Sequence, residues 1–199
     1  YYIPPAEKVE DYLEVGSPEE IKICDPACGS GHMLVYAFEL LYEIYEECGY
    51  DEIGIPALIL EKNLYGIEID ERAGELAAFA LVMKARGKNR RFLSKPSQVN
   101  ICVLENLRFD RKNLEAYMEK IGPELASPRF QTEIQRWTRA STFGALMRPR
   151  ILEAESLMSA LEERWKNSSD LFLATTHKTV IRFLTQASLL DSQYHVIIT

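Results

Sequence analysis

Apolar residues along the first half of the chain alternate between two spacings. A short run, Ile21 to Asp25, is followed by Met33, Leu34, Ala37, Phe38, Leu41 and Tyr45 at intervals of three and four. The run predicts a strand, and the spaced set predicts a helix from Ser30 to Cys48 that Gly49 closes. The pair then recurs. Pro56 to Lys62 predicts a short helix with proline in its first turn, and Leu64 to Asp70 a second strand. Glu71 to Arg86 predicts a helix with the stripe Ala73, Leu76, Ala77, Ala80, Leu81 and Lys84, ended by Gly87. Val99 to Leu104 predicts a third strand. The order β-α-β-α-β predicts a parallel sheet covered by helices.

The second half reads differently. Helical patterns cover Arg111 to Ile121, Arg129 to Thr138, Pro149 to Trp165 and Thr176 to Leu190, with Leu157, Leu161 and Trp165 one per turn on a single face. Breaks are expected at Gly122-Pro123, Ser127-Pro128 and Asn167-Ser168-Ser169. The run Tyr194 to Thr199 predicts a fourth, buried strand. A crossover between parallel strands needs roughly a dozen residues, and far more separate Leu104 from Tyr194. Residues 108–190 are therefore expected as a helical insertion in an α/β core of residues 21–107 and 191–199. Residues 1–20 are expected as a loop with a short helix, Ala6 to Leu13, broken at Gly16-Ser17-Pro18. The chain opens without Met and stops inside an apolar run, which predicts a piece of a longer protein.

Composition sets limits on this picture. The 199 residues are 47% apolar and 27% charged, with a net charge of −7. That is a globular composition, and the acidic balance argues against a free-standing nucleic-acid binder. A local basic surface or another domain could still meet nucleic acid. Lys84, Arg86, Lys88, Arg90 and Arg91 form such a cluster at a helix end; a solvated last turn favoured by the helix dipole and phosphate contact are the two readings. Four cysteines without paired CxxC motifs predict reduced thiols and no metal. No signal peptide and no long apolar run occurs, which predicts a cytoplasmic protein away from membranes. His177 and His195 have no partner at telling spacing and are expected to be structural. His32 could touch a ligand or face solvent. Tyr36, Tyr42 and Tyr45 are expected in the core and at its rim.

The candidate chemistry sits at Asp25-Pro26-Ala27-Cys28-Gly29-Ser30-Gly31, between the first strand and its helix, where an α/β sheet holds a cofactor. A nicotinamide dinucleotide would want a third glycine, and that position is Leu34. An acid before the glycines also repels pyrophosphate. S-adenosylmethionine makes other demands, with a sulfonium, an ammonium, a ribose diol and an adenine. Asp25 can face the cationic end, and Gly29 and Gly31 clear space for it. Glu68 can accept both ribose hydroxyls, Ile69 can cover one adenine face, and Glu105 can accept from the adenine amino group. One acid at each of three successive strand tips suits this ligand better than a phosphate-bearing one.

The stretch Asp25 to Leu34 resembles the D-P-A-C-G-S-G-x-[FIM]-L first motif of amino-directed adenine DNA methyltransferases, which include the modification subunits of type I restriction systems. Tyr65-Gly66-Ile67-Glu68-Ile69-Asp70 is similar to their second motif. Leu104-Glu105-Asn106-Leu107 resembles the third, with Glu where Asp is usual. Four further stretches resemble the large methyltransferases of BREX phage-defence systems: Tyr1 to Glu7, Ile59 to Gly66, Arg72 to Ala77 and Thr142-Phe143-Gly144-Ala145-Leu146. The resemblance implies a class I, Rossmann-like methyltransferase sheet, partial, with the insertion between its third and fourth strands. It implies S-adenosylmethionine held by Asp25, Pro26, Ala27, Cys28, Gly29, Gly31, Glu68, Ile69 and Glu105, without a metal. DNA and restriction or defence subunits would be partners through the full-length protein.

The same resemblance implies that the N-P-P-[YF] loop, which holds the target amine, follows the fourth strand beyond Thr199. No catalytic residue is therefore expected within the chain, and the piece alone is expected to be inactive. The family's upstream F-T-P-like motif is not visible beyond a weak echo in Tyr2-Ile3-Pro4, and the target-recognition region is absent. Two other readings stay open. The first two motifs do not identify the acceptor, so a small-molecule or RNA methyltransferase is an alternative; so is a non-catalytic, partner-binding module.

Overall fold

The structure, a computed structural model, describes residues 14–95, 97–122, 126–137, 140–149, 154–166 and 170–199. The expected helix Ala6 to Leu13 and the break at Asn167-Ser168-Ser169 lie outside the described residues. Four parallel strands form one sheet: β1 (Ile23–Asp25), β2 (Leu64–Glu68), β3 (Asn100–Val103) and β4 (Val196–Ile197), in the order β3-β2-β1-β4. Asp25 lies opposite Gly66 and Glu68 opposite Val103, so the carboxyl ends of β1, β2 and β3 share one edge of the sheet.

Side chains alternate across a strand, and here the alternation builds two cores. Ile23, Leu64 and Ile101 pack with α1 (His32–Glu47) and α3 (Glu71–Lys88), while Cys24, Ile67 and Cys102 pack with the helices that follow β3. Burial of both faces is what a parallel sheet requires. Gly66 is small because a Cβ there would come within 2.6 Å of Ile101 Cδ1 and 2.9 Å of Leu34 Cδ1.

α1 buries Leu34, Ala37, Phe38, Leu41, Tyr42 and Tyr45, as its spacing predicts, while Met33 and Tyr36 are exposed. α3 departs further from expectation. Its buried face is Gly74, Ala77, Leu81 and Ala85, and Leu76 and Phe79 point outward. The small residues let α3 lie close on the sheet: a Cβ on Gly74 would meet Val103 Cγ2 at 2.6 Å. Gly87 does not end this helix, which runs to Lys88 with the Asn89 amide bonding the Ala85 carbonyl. Asp70 caps its start by accepting from the amides of Arg72 and Ala73, a standard N-cap contact.

The expected Pro56–Lys62 helix is two pieces, α2 (Ile55–Leu58) and a π turn, Ile59–Asn63. The π turn delivers Asn63 into the core. Its Oδ1 accepts from the Tyr45 hydroxyl at 2.9 Å and its Nδ2 donates to the carbonyls of Pro18 and Ile21, both at 2.7 Å.

Between β3 and β4 lie α4 (Arg111–Ile121), α5 (Pro128–Arg136), α6 (Ala140–Phe143), α7 (Ala154–Trp165) and α8 (Leu171–Asp191). α8 starts ahead of the expected Thr176 because Asp170 accepts from the Phe172 and Leu173 amides and caps it there. His177 is structural: its Nδ1 shares a 2.8 Å hydrogen bond with the Tyr117 hydroxyl, and its ring stacks on Trp165 at 4.4 Å. Its burial pushes its pKa below the usual histidine range. His195 Nδ1 accepts from the Lys22 amide.

β4 corrects the expectation of a buried strand. Val196 is 40% and Ile197 66% exposed, because β4 pairs only with β1 and ends the sheet among the described residues. No helix among the described residues is long and apolar enough to cross a membrane. Nor does any cluster of three metal-ligating side chains occur among them.

Candidate functional site

β1 delivers Asp25 to the sheet edge, and the chain turns through Pro26 to Gly31 before α1 begins. Hydrogen bonds of the backbone and of two carboxylates shape this turn. Asp25 Oδ1 accepts from the Ala27 amide at 3.1 Å, and the Cys28 amide donates to the Ile67 carbonyl at 3.0 Å. The Gly31 amide donates to the Cys28 carbonyl at 2.8 Å, and the Gly29 amide to Glu68 Oε2 at 2.7 Å. Both glycines are left-handed, with φ of 53° and 81°, a conformation side chains resist. Their surroundings differ. A Cβ on Gly31 would sit 3.0 Å from the backbone of Ala77 in α3, whereas a Cβ on Gly29 would meet nothing within 4 Å. Gly31 is needed for packing, and Gly29 faces open space.

Asp25 is only 3% exposed and has no basic partner among the described residues. Burial raises its pKa above the usual aspartate value, and the nearby Glu68 carboxylate adds to the rise. The same surroundings push the Cys28 thiol up to about 12, burial first and then the charges of Asp25 and Glu68. Cys24 and Cys102 are held at about 11 and about 12, chiefly by burial. These thiols are inert, because the thiolate is the reactive form. A buried carboxylate without a counter-charge, beside open space, suits a cationic group and disfavours a phosphate.

Glu68 is more heavily used than its sequence position suggests. Besides the Gly29 amide, its Oε1 accepts from the amides of Ile69 at 2.8 Å and Asp70 at 3.0 Å. A carboxylate offers about four acceptor sites, so two ribose hydroxyls would have to replace at least one amide. Ile69 is 56% exposed next to it. Glu105, beyond the tip of β3, is paired with Arg182 of α8 at 3.2 Å.

The structure thus sets Asp25, Cys28, Gly29 and Gly31 at one turn, with Glu68 and Ile69 at the neighbouring tip of β2 and Glu105 beyond the tip of β3. His32 is exposed. Lys84 and Lys88 leave the expected basic cluster to pair with Glu39 of α1, and Lys88 also lies 4.0 Å over the Tyr42 ring. One neighbour was not foreseen. Gly144 approaches Ile69 closely enough that a Cβ there would lie 3.5 Å from Ile69 Cγ2. In the sequence Gly144 stands out only as part of the resembling stretch Thr142–Leu146, and no spacing places it beside Ile69. A separate cavity of about 590 Å³ lies between β3 and α8, and of the expected site residues only Glu105 borders it.

The model of the MmeI DNA-methyltransferase domain family matches residues 15–112, which span the glycine turn, β1, β2 and β3. The whole chain aligns, at 32% identity over 228 positions, with the adenine-specific methyltransferase BrxX of Escherichia coli O9:H4 (strain HS). The chain thus resembles adenine-specific DNA methyltransferases. A second relative, the adenine-specific methyltransferase PglX of Lacticaseibacillus casei (strain Zhang), is 32% identical over 151 residues, or 74% of this chain. A putative type II restriction enzyme and methyltransferase of Methanocaldococcus jannaschii is 39% identical over 69 residues, which is 32% of this chain and 6% of that protein. The chain spans 19% of the Escherichia coli protein and 12% of the Lacticaseibacillus protein.

Proposed function

We propose that this chain is the S-adenosylmethionine-binding portion of a DNA adenine-N6 methyltransferase from a restriction–modification or phage-defence system. Residues 21–107 and 191–199 would form its α/β core, with residues 108–190 inserted between them. The observation that carries the reading is the buried carboxylate of Asp25, without a cationic partner among the described residues, beside the open face of Gly29, with Glu68 on the next strand.

The cofactor, when bound, supplies an electrophilic methyl on a sulfonium. The chain's own part is to bind and orient. Asp25 faces the positive end and supplies its counter-charge. The Gly29 backbone lets that end come close. Glu68 exchanges amide donors for ribose hydroxyls, and Glu105 accepts from the adenine amino group. The Cys28 thiol stays protonated and fills space under the turn. The acceptor side belongs to the longer protein: an Asn-Pro-Pro-aromatic loop following β4 would hold the amine of a base flipped out of the duplex. Residues 1–199 alone would bind cofactor and turn over nothing.

Calorimetric titration of S-adenosylmethionine into the chain tests this, with Glu68→Ala and Asp25→Ala alongside. Each substitution is expected to weaken binding tenfold or more. Undiminished binding in both variants would overturn the assignment of the site.

A further inference from the structure

The segment from Ala140 to Met147 is pinned at both ends and free in the middle. Ala140 is fully buried and Met147 is 6% exposed, both in the cluster on the α8 side of the sheet. Between them the chain arcs outward, leaving Phe143 53% and Leu146 86% exposed. The arc meets the tip of β2: Gly144 has φ of 54°, and a Cβ there would touch Ile69 Cγ2 at 3.5 Å. Ile69 is itself half-exposed. Single exposed apolar residues need no explanation. Here three large ones come from two distant segments that meet where Gly144 approaches Ile69, the residue after Glu68.

We propose that the arc Phe143–Leu146 is the second wall of the adenosine site, with Phe143 and Leu146 covering the purine ring whose other face rests on Ile69. This rests on the cofactor reading above. A ribose held by Glu68 leaves its base within reach of the next residue, Ile69, and of the arc that touches it. The exposed apolar side chains offer what a flat aromatic ring takes, apolar contact on its faces with few polar groups around its edge. Glu105 at the neighbouring strand tip supplies one such polar group. Gly144 fits its place because its backbone is left-handed.

The test uses the 199-residue chain and two kinds of measurement. In calorimetry, Phe143→Ala/Leu146→Ala is expected to bind S-adenosylmethionine at least tenfold more weakly than the unmodified chain. Leu76→Ala/Phe79→Ala, on the outer face of α3, is expected to bind normally. In fluorescence, Phe143→Trp is expected to respond to S-adenosylmethionine and to adenosine, and not to methionine. Normal affinity in Phe143→Ala/Leu146→Ala, or a Phe143→Trp signal indifferent to adenosine, overturns the wall while the cofactor reading stands. No binding by the unmodified chain overturns both together.

Discussion

The two glycines of the turn share a motif and a backbone conformation, yet they should fail differently when replaced by alanine. Each substitution forces a side chain into left-handed backbone, at a cost of about 1–2 kcal/mol. Gly29→Ala adds nothing further, because its Cβ meets no atom within 4 Å. Gly31→Ala places its Cβ 3.0 Å from both Cα and Cβ of Ala77. Those atoms belong to the body of α3 and cannot swing aside, so α1 and α3 must separate. Overpacking of this kind costs about 1–3 kcal/mol more, for a total of about 2–5 kcal/mol. Urea unfolding should therefore show Gly31→Ala clearly less stable than Gly29→Ala. Binding should reverse the emphasis. The Gly29→Ala methyl enters the space assigned to the ligand, so that folded variant should lose tenfold or more in affinity for S-adenosylmethionine. Equal destabilisation by both substitutions, or normal binding by Gly29→Ala, would refute the division of labour.

Three further outcomes follow from individual side chains. Asp25 has a raised folded pKa, so the folded state loses stability as pH rises from the ordinary aspartate value through the raised one, and stays lowered above it. Asp25→Asn, which keeps an acceptor for the Ala27 amide, should raise the urea midpoint at pH 7 while weakening S-adenosylmethionine binding. Asn63→Ala strands the Tyr45 hydroxyl and the carbonyls of Pro18 and Ile21 in a fully buried site, and should cost about 2–4 kcal/mol in urea unfolding. His177 has a lowered folded pKa, set by burial against an opposing pull from Glu162. Its contribution is complete above about pH 6.5 and is lost as pH falls through the lower folded value. Unfolding midpoints should therefore drop on acidification, and drop less steeply in His177→Gln.

The first three strands and α1 were legible because their signals are local. Runs such as Leu64 to Glu68 alternate between two faces, and α1 carries its buried set at helical spacing. α3 misled because small residues face the sheet: with Gly74 and Ala77 inside, the larger Leu76 of the expected stripe points outward. The boundary at Gly87 failed for a related reason, since a glycine ends a helix only where the backbone turns left-handed. β4 was read as buried from its composition, but burial depends on what lies over it. Within the site, the residue types at the strand tips pointed to a cation. The Gly29 amide on Glu68 and the approach of Gly144 to Ile69 arise from tertiary contacts that no spacing encodes.

A turn Asp25–Gly31 that takes a sulfonium ligand, and not a pyrophosphate, would tell the two apart in parallel calorimetric titrations of the 199-residue chain with S-adenosylmethionine and with NAD. Saturable heat is expected with S-adenosylmethionine, lost in Glu68→Ala, and none with NAD. Saturable binding of NAD, or heat with S-adenosylmethionine that survives both Glu68→Ala and Asp25→Ala, would contradict it.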